Sequence, residues 1–166
     1  MSILHPSVPA GDNTGLLALH SLSKTSNLAS YRAGTISGDE ALVQELLEVR
    51  KHAGLIVPGP IQAAMVAALG DDLHEKMQRS VYAERRLTLL RALPEAGFTV
   101  DDSDAGLYLW CRREAMSSRE TLDWLAERGI LAAPGDFYGP AGAHHVRISL
   151  TATDERIAEA AARLVS

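Results

Sequence analysis

From Pro94 onward, short β-type runs alternate with amphipathic helical stretches, and this alternation does most to limit what the chain can fold into. Phe98–Val100 and Leu107–Trp110 read as strands separated by an acidic turn of Asp101, Asp102 and Asp104. Ser117-Ser118-Arg119-Glu120 is a capping box. It opens a helix with Leu122, Leu125 and Ala126 inward and Gly129 just past its end. Ile130–Ala133 and His145–Leu150 read as two more strands, and Thr153 caps a last helix with Ile157, Ala160, Ala161 and Leu164 at helical spacing. Strand–strand–helix–strand–strand–helix predicts a small α/β layer with its own core.

The first half is built differently. Leu16–Leu19 is a short apolar run that reads as a buried strand of a parallel sheet. Thr35–Ser37 can be a second strand. Asp39 caps a helix to about His52, with Leu42, Val43, Leu46 and Leu47 on one face. After the break at Val57-Pro58-Gly59-Pro60, a helix carries Ile61, Ala64, Met65, Ala68 and Leu69. A further helix to about Leu93 takes Leu73, Met77, Val81, Leu87 and Leu90 as its apolar set. Two strands are too few for the sheet these helices would cover, so exposed apolar faces are expected here.

The 166 residues are 46% hydrophobic and 22% charged, which fits a globular α/β chain rather than a disordered or coiled-coil one. The net charge of −5 argues against a nucleic-acid or anionic-membrane surface. A single cysteine, Cys111, excludes an intramolecular disulfide and a multi-cysteine metal site, and suits a reducing, cytoplasmic setting. No metal site is expected. His144 and His145 in a strand point to opposite faces and read as surface or loop histidines. Cys111 reads as core or rim filler, and Trp110 and Trp124 as packing residues.

Ser21-Leu22-Ser23-Lys24, with Arg32 eight residues beyond the lysine and Gly34 after it, carries the sharpest chemical signal. A lysine in a Ser-rich stretch after a strand sits where α/β proteins place ligands. Two hydroxyls and an arginine suit a phosphate dianion. From spacing alone, a solvated loop lysine explains Lys24 equally well.

The stretch SLSKTSNLASYRAG resembles the lysine motif of fold-type-I, pyridoxal-phosphate-dependent aminotransferases of class I and II. Pro58-Gly59-Pro60-Ile61-Gln62, Ala105-Gly106-Leu107-Tyr108-Leu109-Trp110, and Pro134-Gly135-Asp136-Phe137-Tyr138-Gly139 followed by His145-Val146-Arg147-Ile148-Ser149 extend the likeness to the rest of the chain. Within the family it looks most like the actinobacterial N-succinyldiaminopimelate aminotransferases of lysine biosynthesis.

The resemblance implies the C-terminal part of the aspartate aminotransferase-like fold. Residues 1–57 would end the cofactor-binding large domain, 58–94 would be connecting helices, and 95–166 a complete small α/β domain. It implies pyridoxal 5'-phosphate as cofactor, joined covalently to the Lys24 amine, with Ser21, Ser23 and Arg32 on its phosphate. It implies that Lys24 moves the proton at the substrate α-carbon and that Arg147 clamps the substrate α-carboxylate. Small-molecule substrates, an amino acid such as glutamate and a 2-oxo acid, would be its partners, and full-length members the homodimers usual in the family.

The family also places an aspartate on the pyridine nitrogen and a tyrosine on the cofactor, both ahead of the lysine. The 23 residues before Lys24 hold Asp12 and no tyrosine. An N-terminally truncated aminotransferase, weakly active or inactive alone, is therefore expected, with a non-catalytic fragment as the alternative. A remote third reading takes Ser21-x-x-Lys24 as a serine acyl-enzyme motif, with Ser103-Asp104 as a faint second element. That reading needs Ser21 at a helix start and a later Lys-Thr-Gly strand, and neither is expected.

Overall fold

A computed structural model describes residues 2–8 and 11–166. The chain divides into two compact units, Met1–Lys76 and Met77–Ser166.

In the first unit, β1 (Leu17–Ser21) pairs with β2 (Gly34–Gly38) in antiparallel register, Ser21 opposite Gly34 and Leu17 opposite Gly38. The expected parallel partner for β1 is thus replaced by an antiparallel one. β1 is also not buried: Leu19 is 77% exposed. An apolar run of only four residues is too short to report strand direction, which is set by the strand that β1 meets. Between the strands lie α1, a single turn (Leu22–Thr25), and a 3₁₀ turn (Ala29–Tyr31). Among the described residues of this unit, Leu22 and Ala33 are the buried apolar ones.

Asp39 caps α2 (Glu40–His52) as expected, accepting from the Ala41 and Leu42 amides at 2.8 and 3.3 Å. It also accepts from the Gly15 amide at 2.7 Å, which ties the start of α2 to the approach to β1. Pro60 sits in the first turn of α3 (Gly59–Leu69), where its missing N–H costs nothing. Neither helix fully buries a side chain, and Leu47, Val49 and Val66 are exposed. This matches the exposed faces expected for the first half.

α4 (Asp72–Glu95) begins in the first unit and continues into the second. Its buried set differs from the sequence reading. Leu73, Met77 and Leu87 are exposed, whereas Arg86, Leu89, Ala92 and Leu93 are buried. The inward stripe runs through 86, 89 and 93, so it contains a cation that no hydrophobicity pattern would select. Arg86 is accommodated because its guanidinium donates to the Gly106 carbonyl at 2.5 Å and to Ser103. A buried charge needs such partners.

The second unit holds a four-stranded antiparallel sheet in the order β3-β4-β6-β5, from β3 (Phe98–Asp101), β4 (Tyr108–Arg113), β5 (Ala133–Pro134) and β6 (His145–Ser149). The expected strand at Ile130–Ala133 shrinks to Ala133–Pro134, which pairs with β6 as the edge strand, where the missing N–H of Pro134 is tolerated. Period-two alternation splits the sheet. Leu109, Cys111, Val146 and Ile148 face a core completed by Leu89 and Leu93 of α4, Leu125 of α5 (Ser118–Ala126), and Ile157 and Leu164 of α6 (Asp154–Leu164). The Ser117–Glu120 capping box and the Thr153 cap form as expected. Ala126 is exposed rather than inward; Ser118, Thr121 and Leu125 are the buried face of α5.

The other face of the sheet carries Asp101, Tyr108, Trp110, Arg112, His145 and Arg147, fixed by the register Trp110–Arg147 and Arg112–His145.

Candidate active site

The lysine segment is organised by the β1–β2 pair. Ser21 closes β1 in an extended conformation, and its hydroxyl accepts from the Ser23 amide at 3.2 Å. That bond starts α1 and places Lys24 in its last turn. Thr25 Oγ1 donates back to the Ser21 carbonyl at 3.2 Å. On the return path Arg32 adopts a left-handed conformation, φ 52°, and donates to the Ala29 carbonyl at 3.0 Å.

Because Ser21 pairs with Gly34, Arg32 reaches the same end of the two strands as Ser21. Both line an open cavity of about 480 Å³ with His20, Gly34 and Thr35. A side chain at Gly34 would press on the His20 carbonyl at 2.8 Å, so the glycine keeps the two strands close. Ser23 and Lys24 stand beside this cavity in sequence but are not among its lining residues.

Ser21 does stand at a helix start, contrary to expectation, because its hydroxyl is a good N-cap. The acyl-enzyme reading gains nothing further: Ser103 is a partner of the buried Arg86, and the sequence contains no Lys-Thr-Gly.

Arg147, in the second unit, is built into an aromatic enclosure. Its guanidinium lies 4.0 Å from the Tyr108 ring centre and 5.4 Å from that of Tyr138. It has no carboxylate partner among the described residues, and its Nε is buried without a hydrogen-bond partner. A planar cation held between rings, with an unmatched buried N–H, is suited to accept a carboxylate.

Three neighbours were not selected from the sequence. His145 is only 15% exposed, donates from Nε2 to Asp101 Oδ2 across 2.8 Å, and stacks on Trp110. Trp110 in turn meets Tyr138 edge-on with centres 5.6 Å apart. The surface reading of His145 is therefore corrected. Its alternation with Arg147 on one face of β6 was the available signal, and Asp101, across β4 on β3, was not readable from spacing.

Tyr138 reaches this cluster from the segment after β5. There the chain folds back so tightly that Gly135 and Gly142 face each other, and a Cβ on either would collide with the other's carbonyl. Ser118 fastens the segment by accepting the Gly135 amide at 3.0 Å, while its own amide donates to the Ala143 carbonyl at 2.7 Å.

Cys111 is fully buried on the core face, and burial, helped by the Asp101 charge, pushes its thiol up to about 12. It is a core residue, as expected, and not a nucleophile. Trp124 packs edge-on against Phe98, and the guanidinium groups of Arg113 and Arg128 lie 4.0 and 3.6 Å from its ring.

The family description "aminotransferase class I and II" matches residues 2–164. The chain belongs to this family. A probable aminotransferase of Mycobacterium tuberculosis is 66% identical over 99% of this chain and 39% of its own length. The 4-dedimethylamino-4-oxo-anhydrotetracycline transaminase OxyQ of Streptomyces rimosus is 58% identical over 99% of the chain and 45% of its own length. Among solved structures, a probable N-succinyldiaminopimelate aminotransferase of Thermus thermophilus superposes with a TM-score of 0.80 at 32% identity, covering 97% of this chain and 44% of that one. The chain thus spans about two fifths of the length of the curated relatives it matches.

The architecture is accordingly the C-terminal part of the aspartate aminotransferase-like fold, and the family's cofactor is pyridoxal phosphate. The donor set fits that group: a primary amine on α1, and a hydroxyl and a guanidinium converging on one cavity. No helix is long and apolar enough to cross a membrane among the described residues.

Proposed function

We propose that the protein transfers an amino group between an α-amino acid, such as glutamate, and a 2-oxo acid, with Lys24, Ser21, Ser23 and Arg32 serving the cofactor and Arg147 the substrate. The convergence of Ser21 and Arg32 on one cavity beside the Lys24 turn carries the reading. In it, residues 1–57 belong to the cofactor-binding large domain, 58–94 are connecting helices, and 95–166 form the small domain.

Arg32 and the two serine hydroxyls bind the cofactor phosphate by charge-assisted hydrogen bonds. Pyridoxal phosphate, when bound, supplies the ring that draws electrons from the substrate α-carbon. Lys24 Nζ, as the free amine, takes the proton from that carbon and later returns one. Arg147 grips the α-carboxylate through two parallel N–H donors, which fixes the direction of the Cα–H bond. The rings of Tyr108 and Tyr138 keep the guanidinium in place when no carboxylate is bound.

Within this class, N-succinyldiaminopimelate and its 2-oxo counterpart, a step of lysine biosynthesis, are the preferred substrates. The Thermus relative named for that activity supports the choice. The 58% identity to a transaminase named for a tetracycline ketone favours, as a second reading, a bulky cyclic ketone as amino acceptor. We expect weak turnover by these 166 residues alone, because Asp12, the one acidic side chain ahead of Lys24, is tied to Thr14 in a turn.

The test is to incubate the chain with pyridoxal phosphate, reduce with borohydride, and map the modified peptide. Attachment at Lys24, lost in Lys24→Ala, supports the reading, and attachment spread evenly over Lys24, Lys51 and Lys76 refutes it. Glutamate-dependent amination of the succinylated oxo acid against the cyclic ketone, measured with the whole protein, separates the two substrates.

A further inference from the structure

The end of the Lys24 turn is bonded to the beginning of α4. His74 Nε2 lies 3.0 Å from Ser26 Oγ, and His74 Nδ1 lies 3.1 Å from Asp71 Oδ2. Asp71 is itself anchored, accepting the Leu73 amide at 2.9 Å through its other oxygen. That backbone bond, with the His74 contact behind it, holds the Asp71 carboxyl below its usual value. An ionised carboxylate only accepts, so Nδ1 carries the hydrogen toward Asp71, and in the neutral ring Nε2 is left to accept the Ser26 hydroxyl.

Ser26 closes α1. Its amide donates to the Leu22 carbonyl at 3.2 Å, and the Leu28 amide does the same at 3.2 Å. Between them Asn27 turns the chain through a left-handed conformation, φ 54°. The backbone just past Lys24 is therefore held by one carbonyl, one strained residue and one side-chain bond from 48 residues away.

Serine, histidine and aspartate bonded in this order are also the order of a hydrolase triad. Two observations decide against a nucleophilic role. Ser26 sits at the C-terminal end of α1, where carbonyl oxygens rather than N–H groups face a developing oxyanion. The Asp71 side chain is 55% exposed, so its charge acts in water rather than in a dry site.

We propose that His74 is a positioning residue for Lys24: by gripping Ser26 it fixes where the α1 turn ends and so the direction in which the lysine amine is presented. The inference rests on the reading of Lys24 as the cofactor lysine. Lys24 and Ser26 are two residues apart on one turn, so freeing the Ser26 hydroxyl lets the turn and the amine rotate together. Asp71 acts one step further out by orienting the imidazole.

The experiment measures the rate of borohydride-trapped pyridoxal phosphate at Lys24 by peptide mass spectrometry, with Lys51 and Lys76 as internal references. It compares the 166-residue chain with His74→Ala, Ser26→Ala, the double variant and His74→Gln, each checked for unchanged circular dichroism. Loss of one such hydrogen bond is expected to slow Lys24 trapping ~5-fold in either single variant. The double variant should be no slower than either single one, and His74→Gln, whose amide can still reach Ser26, should recover most of the rate. If Lys24 in the parent chain reacts no faster than Lys51 and Lys76, the reading of Lys24 fails and the inference falls with it. If Lys24 reacts selectively but is indifferent to both single variants, the inference alone is overturned. Labelling of Ser26 by a fluorophosphonate, abolished in His74→Ala, would also overturn it in favour of a nucleophilic serine.

Discussion

The Trp110 indole and the His145 imidazole lie face to face on adjacent strands, their centres 5.0 Å apart and their planes within 8°. They are diagonal neighbours in the register, which is within reach for aromatic rings. Asp101 holds the imidazole from the third strand, and Tyr138 meets the indole edge-on before reaching Arg147.

Trp110→Ala removes the common surface of this cluster and is expected to cost about 3 kcal/mol in urea unfolding, the low end for a large aromatic because Trp110 is half-buried. His145→Phe keeps a ring on Trp110 but drops the Asp101 bond, and should cost only about 1–2 kcal/mol. Equal losses from the two changes would mean that the stack contributes little.

Arg147→Gln leaves the aromatic enclosure but removes the bidentate donor. In the whole protein we expect KM for the amino acid to rise at least ~10-fold, the scale of one lost charge-assisted hydrogen bond. Arg147→Lys should fail to restore it, because an ammonium cannot present two parallel donors. Steady-state kinetics with glutamate check both statements.

Cys111 gives a pH signature. Its thiol ionises at about 12 in the fold against 9.0 as the reference value, so the native state keeps a proton that the unfolded chain releases. The resulting stability is fully present below about pH 9 and is lost as pH rises toward about 12. Urea midpoints should therefore fall between pH 9 and 11 in the parent chain and fall less in Cys111→Ala. Thiol reagents should leave Cys111 unmodified until the protein unfolds.

Much of this was legible in the sequence because it is local. The Ser117–Glu120 box, the Asp39 and Thr153 caps and the alternation along β6 each depend on neighbouring residues, and each forms where the pattern puts it. What was not legible depends on distant partners. Arg86 is buried because Ser103 and Gly106 receive it, and His145 is held because Asp101 comes alongside from β3. The direction of β1 likewise depends on which strand it meets. The site residues split the same way: the Lys24 turn and Arg147 carry recognisable motifs, whereas Trp110 and Tyr138 take their places only once the sheet and the Gly135–Gly142 contact exist.

That contact is itself testable. Gly142→Ala places a methyl group against the Gly135 carbonyl, which belongs to rigid backbone and cannot rotate away. A loss of about 2–4 kcal/mol is expected, as for other overpacked or strained sites. Reduced quenching of Trp110 fluorescence should accompany it, since Tyr138 would shift from its edge. Unchanged stability would mean that the backbone yields more easily than this packing implies.

The register of β6 makes the direction of Arg147 a condition of folding. Sliding that strand by one residue against β4 would drive His145 and Arg147 into the core and turn Val146 and Ile148 out to water. The oily face therefore proofreads the polar one: a chain that has closed this core has, by the same act, already aimed its guanidinium outward. Selection for a stable small unit and selection for the clamp's direction then act on one and the same alignment, so the strand can drift in sequence without drifting in aim.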